Sequence, residues 1–123
     1  MLTKQEIFNR VATHLLTQRA KAMDEGRCRY LDRQGRRCAV GCLIPDGHPS
    51  LTVFASLGFL LITYPDLAEG WGLDEDAFSL LNELQLIHDN DMPSQWAAHL
   101  TELASKFNLS VPDIVTHELE NTR

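Results

Sequence analysis

The sequence predicts a mainly α (α+β) domain: a compact bundle of about five or six helices with one β-hairpin insert at about residues 28–38. Three observations carry this. Apolar residues recur at helical spacing in the first segment and through the last third of the chain. The period shortens around Asp32-Arg33-Gln34-Gly35, a turn-type tetrapeptide with Asp first and Gly last. The chain has 123 residues, 44% hydrophobic and 23% charged, which is the size and composition of one globular domain spanning 1–123.

The elements follow in order. Thr3 with Glu6 forms the pattern of a capping box, and Ile7, Phe8, Val11, Leu15 and Leu16 then share a helix face. Asp24-Glu25-Gly26 is expected to end that helix. The predicted hairpin pairs Cys28–Leu31 with Arg36–Cys38. It would set Cys28 beside Cys38 and push Arg33, Arg36 and Arg37 outward at its tip. A lone hairpin is marginal in water, so it must pack on helices. The run from Cys38 to Ile44 suits a helical turn or two, stopped by Pro45. Residues 45–49 form a loop by composition. Ser50 can cap a helix through about Ile62, and its apolar residues lie on every side, the pattern of a central buried element. Pro65 to Gly72 reads as loop, with Trp71 between two glycines. Asp74 caps a helix to about Asp89, striped by Ala77, Leu80, Leu81, Leu84, Ile87 and His88. Asp91 and Pro93 open the next helix, where Trp96, Leu100, Leu103 and Phe107 align. Ser110 to Asp113 opens a short last helix.

All three cysteines and one histidine fall between Cys28 and His48. Zinc takes such a set in a tetrahedron, and Cys38 and Cys42 at i, i+4 share a helix face. The candidate ligands are Cys28, Cys38, Cys42 and His48. The intervening residues are apolar and the cysteine spacing is not that of a zinc knuckle, so no metal is favoured and no cofactor is required. Free cysteine is among the most buried residue types, which makes burial in the core the first reading of the three thiols. A reactive thiol is the third. Cys38 at a helix start beside Arg36 and Arg37 would have its thiolate stabilised, with His88 as base. Asp89 follows His88 directly on the helix and is expected to point away from the ring. His88-Asp89 also matches a metal dyad of phosphohydrolases, but His14, His99 and His117 supply no recognisable spacing around it. Trp71 on its Gly-flanked loop is a candidate interface anchor, set against the alternative of a loop folded over the core.

Charge is uneven. Residues 1–37 hold nine Lys and Arg against four acids, and the remainder holds two against thirteen, for a net charge of −6. The two parts can attract each other within one molecule, or present a basic pole and an acidic face to partners. The overall acidity argues against nucleic acid as partner, although Tyr30 among arginines could meet phosphate or a base. The longest apolar run, residues 51–64, is too short to span a bilayer, which takes roughly 20 residues, so no membrane association is expected. An odd cysteine count and a polar start point to the cytoplasm.

The stretches CRYLDRQGRRCAVGCLI at 28–44 and LQLIHDNDMPSQW at 84–96 resemble a family of small uncharacterised proteins encoded by bacteria and their phages. With the helices around them, the resemblance covers most of the chain. It implies an accessory role against or within a host, and carries no catalytic residue with it. Relatives need not have a cysteine matching Cys42. The expected function is non-enzymatic binding of a host or phage macromolecule, as regulator or inhibitor, with a protein partner. The alternatives are a cysteine-dependent enzyme using Cys38 with His88, and a zinc-stabilised binding module.

Overall fold

The computed structural model describes residues 1–121. Among these the chain is mainly α, with six helices and one small antiparallel strand pair. The helices are α1 (Lys4–Gln18), α2 (Leu57–Thr63), α3 (Pro65–Trp71), α4 (Glu75–Asn90), α5 (Trp96–Lys106) and α6 (Asp113–Asn121). The strands are β1 (Met23–Asp24) and β2 (Arg27–Cys28), paired Met23 to Cys28 and Asp24 to Arg27.

Helix α1 begins where the sequence predicts. Thr3 Oγ1 accepts from the Glu6 amide at 3.1 Å, and Glu6 returns to the Thr3 amide at 3.0 Å. Each of these bonds satisfies an amide that the first helical turn leaves free. Its buried face, Ile7, Phe8, Val11, Ala12, Leu15 and Leu16, packs on α4, α5 and α6. The helix stops at Gln18, short of Asp24, because Arg19 turns left-handed (φ 57°) and caps it. Helix α4 starts from Asp74, whose side chain accepts from the Ala77 amide, and buries Leu80, Leu81, Leu84 and His88. Helix α5 adds Trp96, Leu100 and Leu103 to the same core.

The strand-paired hairpin is displaced from the expected one. The ladder lies at residues 23–28, and the predicted pairing of 28–31 with 36–38 is reduced to a single bridge between Leu31 and Arg37. The reason is Asp32. Its side chain, shielded from solvent, accepts from the amides of Met23 (3.2 Å), Gln34 (2.9 Å) and Arg36 (2.9 Å) and from Arg36 Nε (2.7 Å). The loop wraps around a carboxylate rather than extending as a ladder.

The apolar run also departs from expectation. A short 3-10 turn at Pro49–Thr52 is capped by His48, residues 53–56 leave helical structure, with Val53 and Ser56 extended, and Ser56 caps the separate helix α2. This helix packs on α3, and it is not buried on every side: Phe59 is 62% and Ile62 81% exposed. Pro65 opens α3 where a loop was expected, since a proline costs nothing at the first helical position. Trp71 ends that helix, buried, with Nε1 donating to the Leu43 carbonyl at 3.2 Å.

Candidate functional site

The two sequence blocks around Cys38 and His88 meet in space. Helix α4 presents Gln85, His88 and Asp89 on one face toward β2 and the turn at Cys38–Gly41. Gly41 lets that turn close on the backbone at Tyr30. A Cβ there would lie 2.0 Å from the Tyr30 carbonyl oxygen, inside any van der Waals contact. Gln85 then straps the turn to α4, accepting from the Val40 amide at 2.9 Å and donating to Asp89 Oδ1 at 2.7 Å.

His88 is fully buried and stacked on Trp96, ring centroids 5.8 Å apart. Its Nε2 accepts from the Ala22 amide at 3.0 Å, so the ring proton resides on Nδ1 and is donated to Asp89 Oδ1 at 2.8 Å. This corrects the expectation that Asp89 points away. Adjacent side chains on a helix diverge, but Nδ1 lies close to its own backbone, and a short carboxylate on the next residue reaches it. The Cys28 sulfur lies beside this pair, within 4.8 Å of both. Burial works against the charge on Asp89. The interactions with His88, Cys28 and Gln85 outweigh it and hold the carboxyl below its ordinary value.

Asp89 sits in the wall of a cleft of about 240 Å³. Cys28, Tyr30, Cys38, Val53, Phe54, Leu57, Asn82, Gln85 and Leu86 also line it. The Tyr30 hydroxyl donates to the Ala55 carbonyl across this wall. Arg29 lies over the Phe54 ring at 4.0 Å, donates to the Thr52 carbonyl and faces Asp24 at 3.8 Å. Lys21 Nζ ends 3.0 Å from the backbone carbonyl of Asp89, closing the last turn of α4.

The thiols are all pushed up. Burial raises Cys28 to about 11, with the charge of Asp89 adding to it. Cys38, 1% exposed with its sulfur accepting from the Gly41 amide, rises to about 12 through burial. Cys42, also through burial, rises to about 12. Neither Arg36 nor Arg37 offsets the burial of Cys38, because both guanidiniums are spent elsewhere. Arg36 binds Asp32, and Arg37 Nη1 donates to the carbonyls of Gly41 (3.1 Å) and Ile44 (2.8 Å) while Nη2 pairs with Asp46. Of the three hairpin-tip arginines only Arg33 stands out in solvent, beside an equally exposed Glu25.

The expected zinc set is dispersed. Cys28 and Cys38 line the cleft, Cys42 opens on a separate groove along α1, and His48 is bonded to Ser50 and Asp66. Among the described residues the grouping of three metal-type donors is instead Cys28, His88 and Asp89, their atoms within 4.8 Å of one another. The histidine does not suit a metal. A ligating imidazole donates its second N–H to an acceptor. Here one nitrogen faces a backbone donor and the other carries the proton, so neither offers a free lone pair.

Sequence reasoning singled out His88 and Asp89, and read Tyr30 only as a contact for phosphate or a base, but passed over Gln85. Gln85, His88 and Asp89 stand at i, i+3, i+4, the spacing of one helix face, and that signal could have found the third member. No helix of the described residues is long and apolar enough to cross a membrane. Compared with family models, curated proteins and solved structures, the chain matches none.

Proposed function

We propose that this protein acts by binding a partner protein, which seats across the cleft and the outer face of α2. The observation that supports it is a set of large apolar side chains left in solvent, Phe54 (52% exposed) and Leu86 (47%) at the cleft and Phe59 (62%) and Ile62 (81%) on α2. Phe54 and Leu86 flank the cleft, Leu57 at the start of α2 lines it, and Phe59 and Ile62 share the free face of that helix. Single exposed apolar residues are ordinary, but a pair at the wall of a cleft and a second pair on the free face of the adjoining helix are the pattern of a docking surface. The role fits a small cytoplasmic accessory factor of phage or prophage origin, a regulator or inhibitor of a host or phage macromolecule, as the resemblance implies. Thiol chemistry at Cys38 has less behind it, with that sulfur buried and protonated.

The test is a paired capture experiment. Immobilised wild type and a Phe59→Ser/Ile62→Ser variant are exposed to lysate of the cells that make the protein, and bound proteins are quantified by mass spectrometry. Both side chains are exposed, so the variant keeps its helical circular dichroism. One partner should drop at least tenfold in the variant. Equal capture of every protein by both baits would remove α2 from the account.

A further inference from the structure

We propose that the cleft receives a lysine side chain of the partner, its ammonium group held by Asp89. This rests on the binding reading above and deepens it. The argument starts from charge. Asp89 is a carboxylate whose hydrogen-bond donors, His88 Nδ1 and Gln85 Nε2, are both neutral groups. Among the described residues no Lys or Arg side chain pairs with its carboxylate; Lys21 reaches only its backbone carbonyl. A partly buried charge is ordinarily matched by an opposite one. Here the two donors fix the carboxylate and leave its charge unneutralised in a cleft wall, with 30% of the side chain accessible.

The geometry selects among cations. His88 and Gln85 both donate to Oδ1, so the carboxylate cannot offer two free oxygens to the planar fork of a guanidinium. A single-point ammonium needs only one. Its remaining protons can find the Asn82 amide oxygen or the Tyr30 hydroxyl oxygen, both in the cleft wall. The stem of a lysine is four methylenes, and Val53, Leu57 and the Tyr30 ring give it apolar contact. Arg29 lines the same cleft, but its charge faces Asp24 and lies on Phe54.

The experiment is a titration of the ¹⁵N-labelled full chain followed through the amide signals of Cys28, Tyr30 and Asp89. The probes are Nα-acetyl-lysine methylamide, its norleucine counterpart lacking the charge, the arginine counterpart, 1,5-diaminopentane and inorganic phosphate. The lysine probe should saturate these signals at least tenfold more tightly than the norleucine and arginine probes. Asp89→Asn, which keeps the acceptor for His88 and Gln85, should weaken it at least tenfold with the fold unchanged. Saturation by phosphate alone, or equal response to norleucine, overturns the proposal. Tighter binding of diaminopentane than of the lysine probe overturns the assignment to a protein side chain. If the probes fail while Phe59→Ser/Ile62→Ser still abolishes capture, the lysine assignment falls and the binding reading stands. If the probes bind while that variant captures every protein as wild type does, the docking surface falls instead.

Discussion

Replacing His88 with phenylalanine isolates the hydrogen bonds of the site from its packing. The two rings are close in size, so His88→Phe keeps the stack on Trp96 and opens no large cavity. It deletes two bonds. The Ala22 amide is left without an acceptor in a fully buried position, which costs about 1–3 kcal/mol. Asp89 loses a donor to an ionised acceptor, a bond of about 1.5–3 kcal/mol, toward the lower figure because the carboxylate keeps some water. Together the loss is about 3 kcal/mol. For a chain of this size a urea slope of about 1.5 kcal/mol/M turns that into a midpoint lowered by about 2 M. Urea unfolding read by the fluorescence of Trp96 and Trp71 measures it. A midpoint within about 0.5 M of wild type, at unchanged slope, would refute the claim that His88 ties Ala22, just ahead of β1, to the end of α4. It would leave the ring as a packing residue only.

Two further outcomes follow from the buried polar groups. Hydrogen bonds hold both Asp32 and Asp89 below the ordinary carboxyl value against the pull of burial. Each therefore contributes stability that is full above about pH 5 and is lost as pH falls through the lowered folded value. Thermal melts between pH 7 and pH 3 should show this decline, and Asp32→Asn should be less stable at pH 7 yet flatter across the range; parallel curves for the two proteins would contradict it. The thiols, raised to about 11 and about 12, should react with iodoacetamide at pH 7.5 more than about 100-fold more slowly than a free thiol, with Cys28 ahead of Cys38. Rapid labelling of Cys38 in the folded chain would restore the nucleophile reading.

The sequence carried the helices that have both a cap and a stripe. Thr3 with Glu6, Asp74 before Ala77, and the Trp96-Leu100-Leu103 row were legible because capping and period are local properties. Residues 51–64 were not legible. Their break at 53–56 uses neither Gly nor Pro, and Ser56 as a cap looks like any other serine until the chain is seen to turn there. The exposure of Phe59 and Ile62 is likewise invisible to a pattern that assigns apolar residues to the interior. At the site, His88 and Asp89 were singled out, yet their mutual bond and their link to Cys28 depend on Ala22 closing on α4, a tertiary contact with no local signature. Arg36 and Arg37 read as surface charge because nothing in the sequence shows Asp32 folding the loop inward or the carbonyls of Gly41 and Ile44 waiting for a guanidinium.

The bond from Ala22 to His88 closes sixty-six positions of chain, and the cleft borrows from residues 28–30, 38, 53–57 and 82–89. A nascent chain leaving the ribosome has three of those segments long before the fourth. The pocket comes into being only when α4 has cleared the exit tunnel and docked, so the proposed binding would arrive in one step with α4, and a polypeptide halted before Asp89 would have none of it. The same division makes Leu73, between α3 and α4, a natural place to cut the gene in two. Each fragment would carry half a cleft, and recovered binding would report their reunion, which turns this small fold into a complementation sensor.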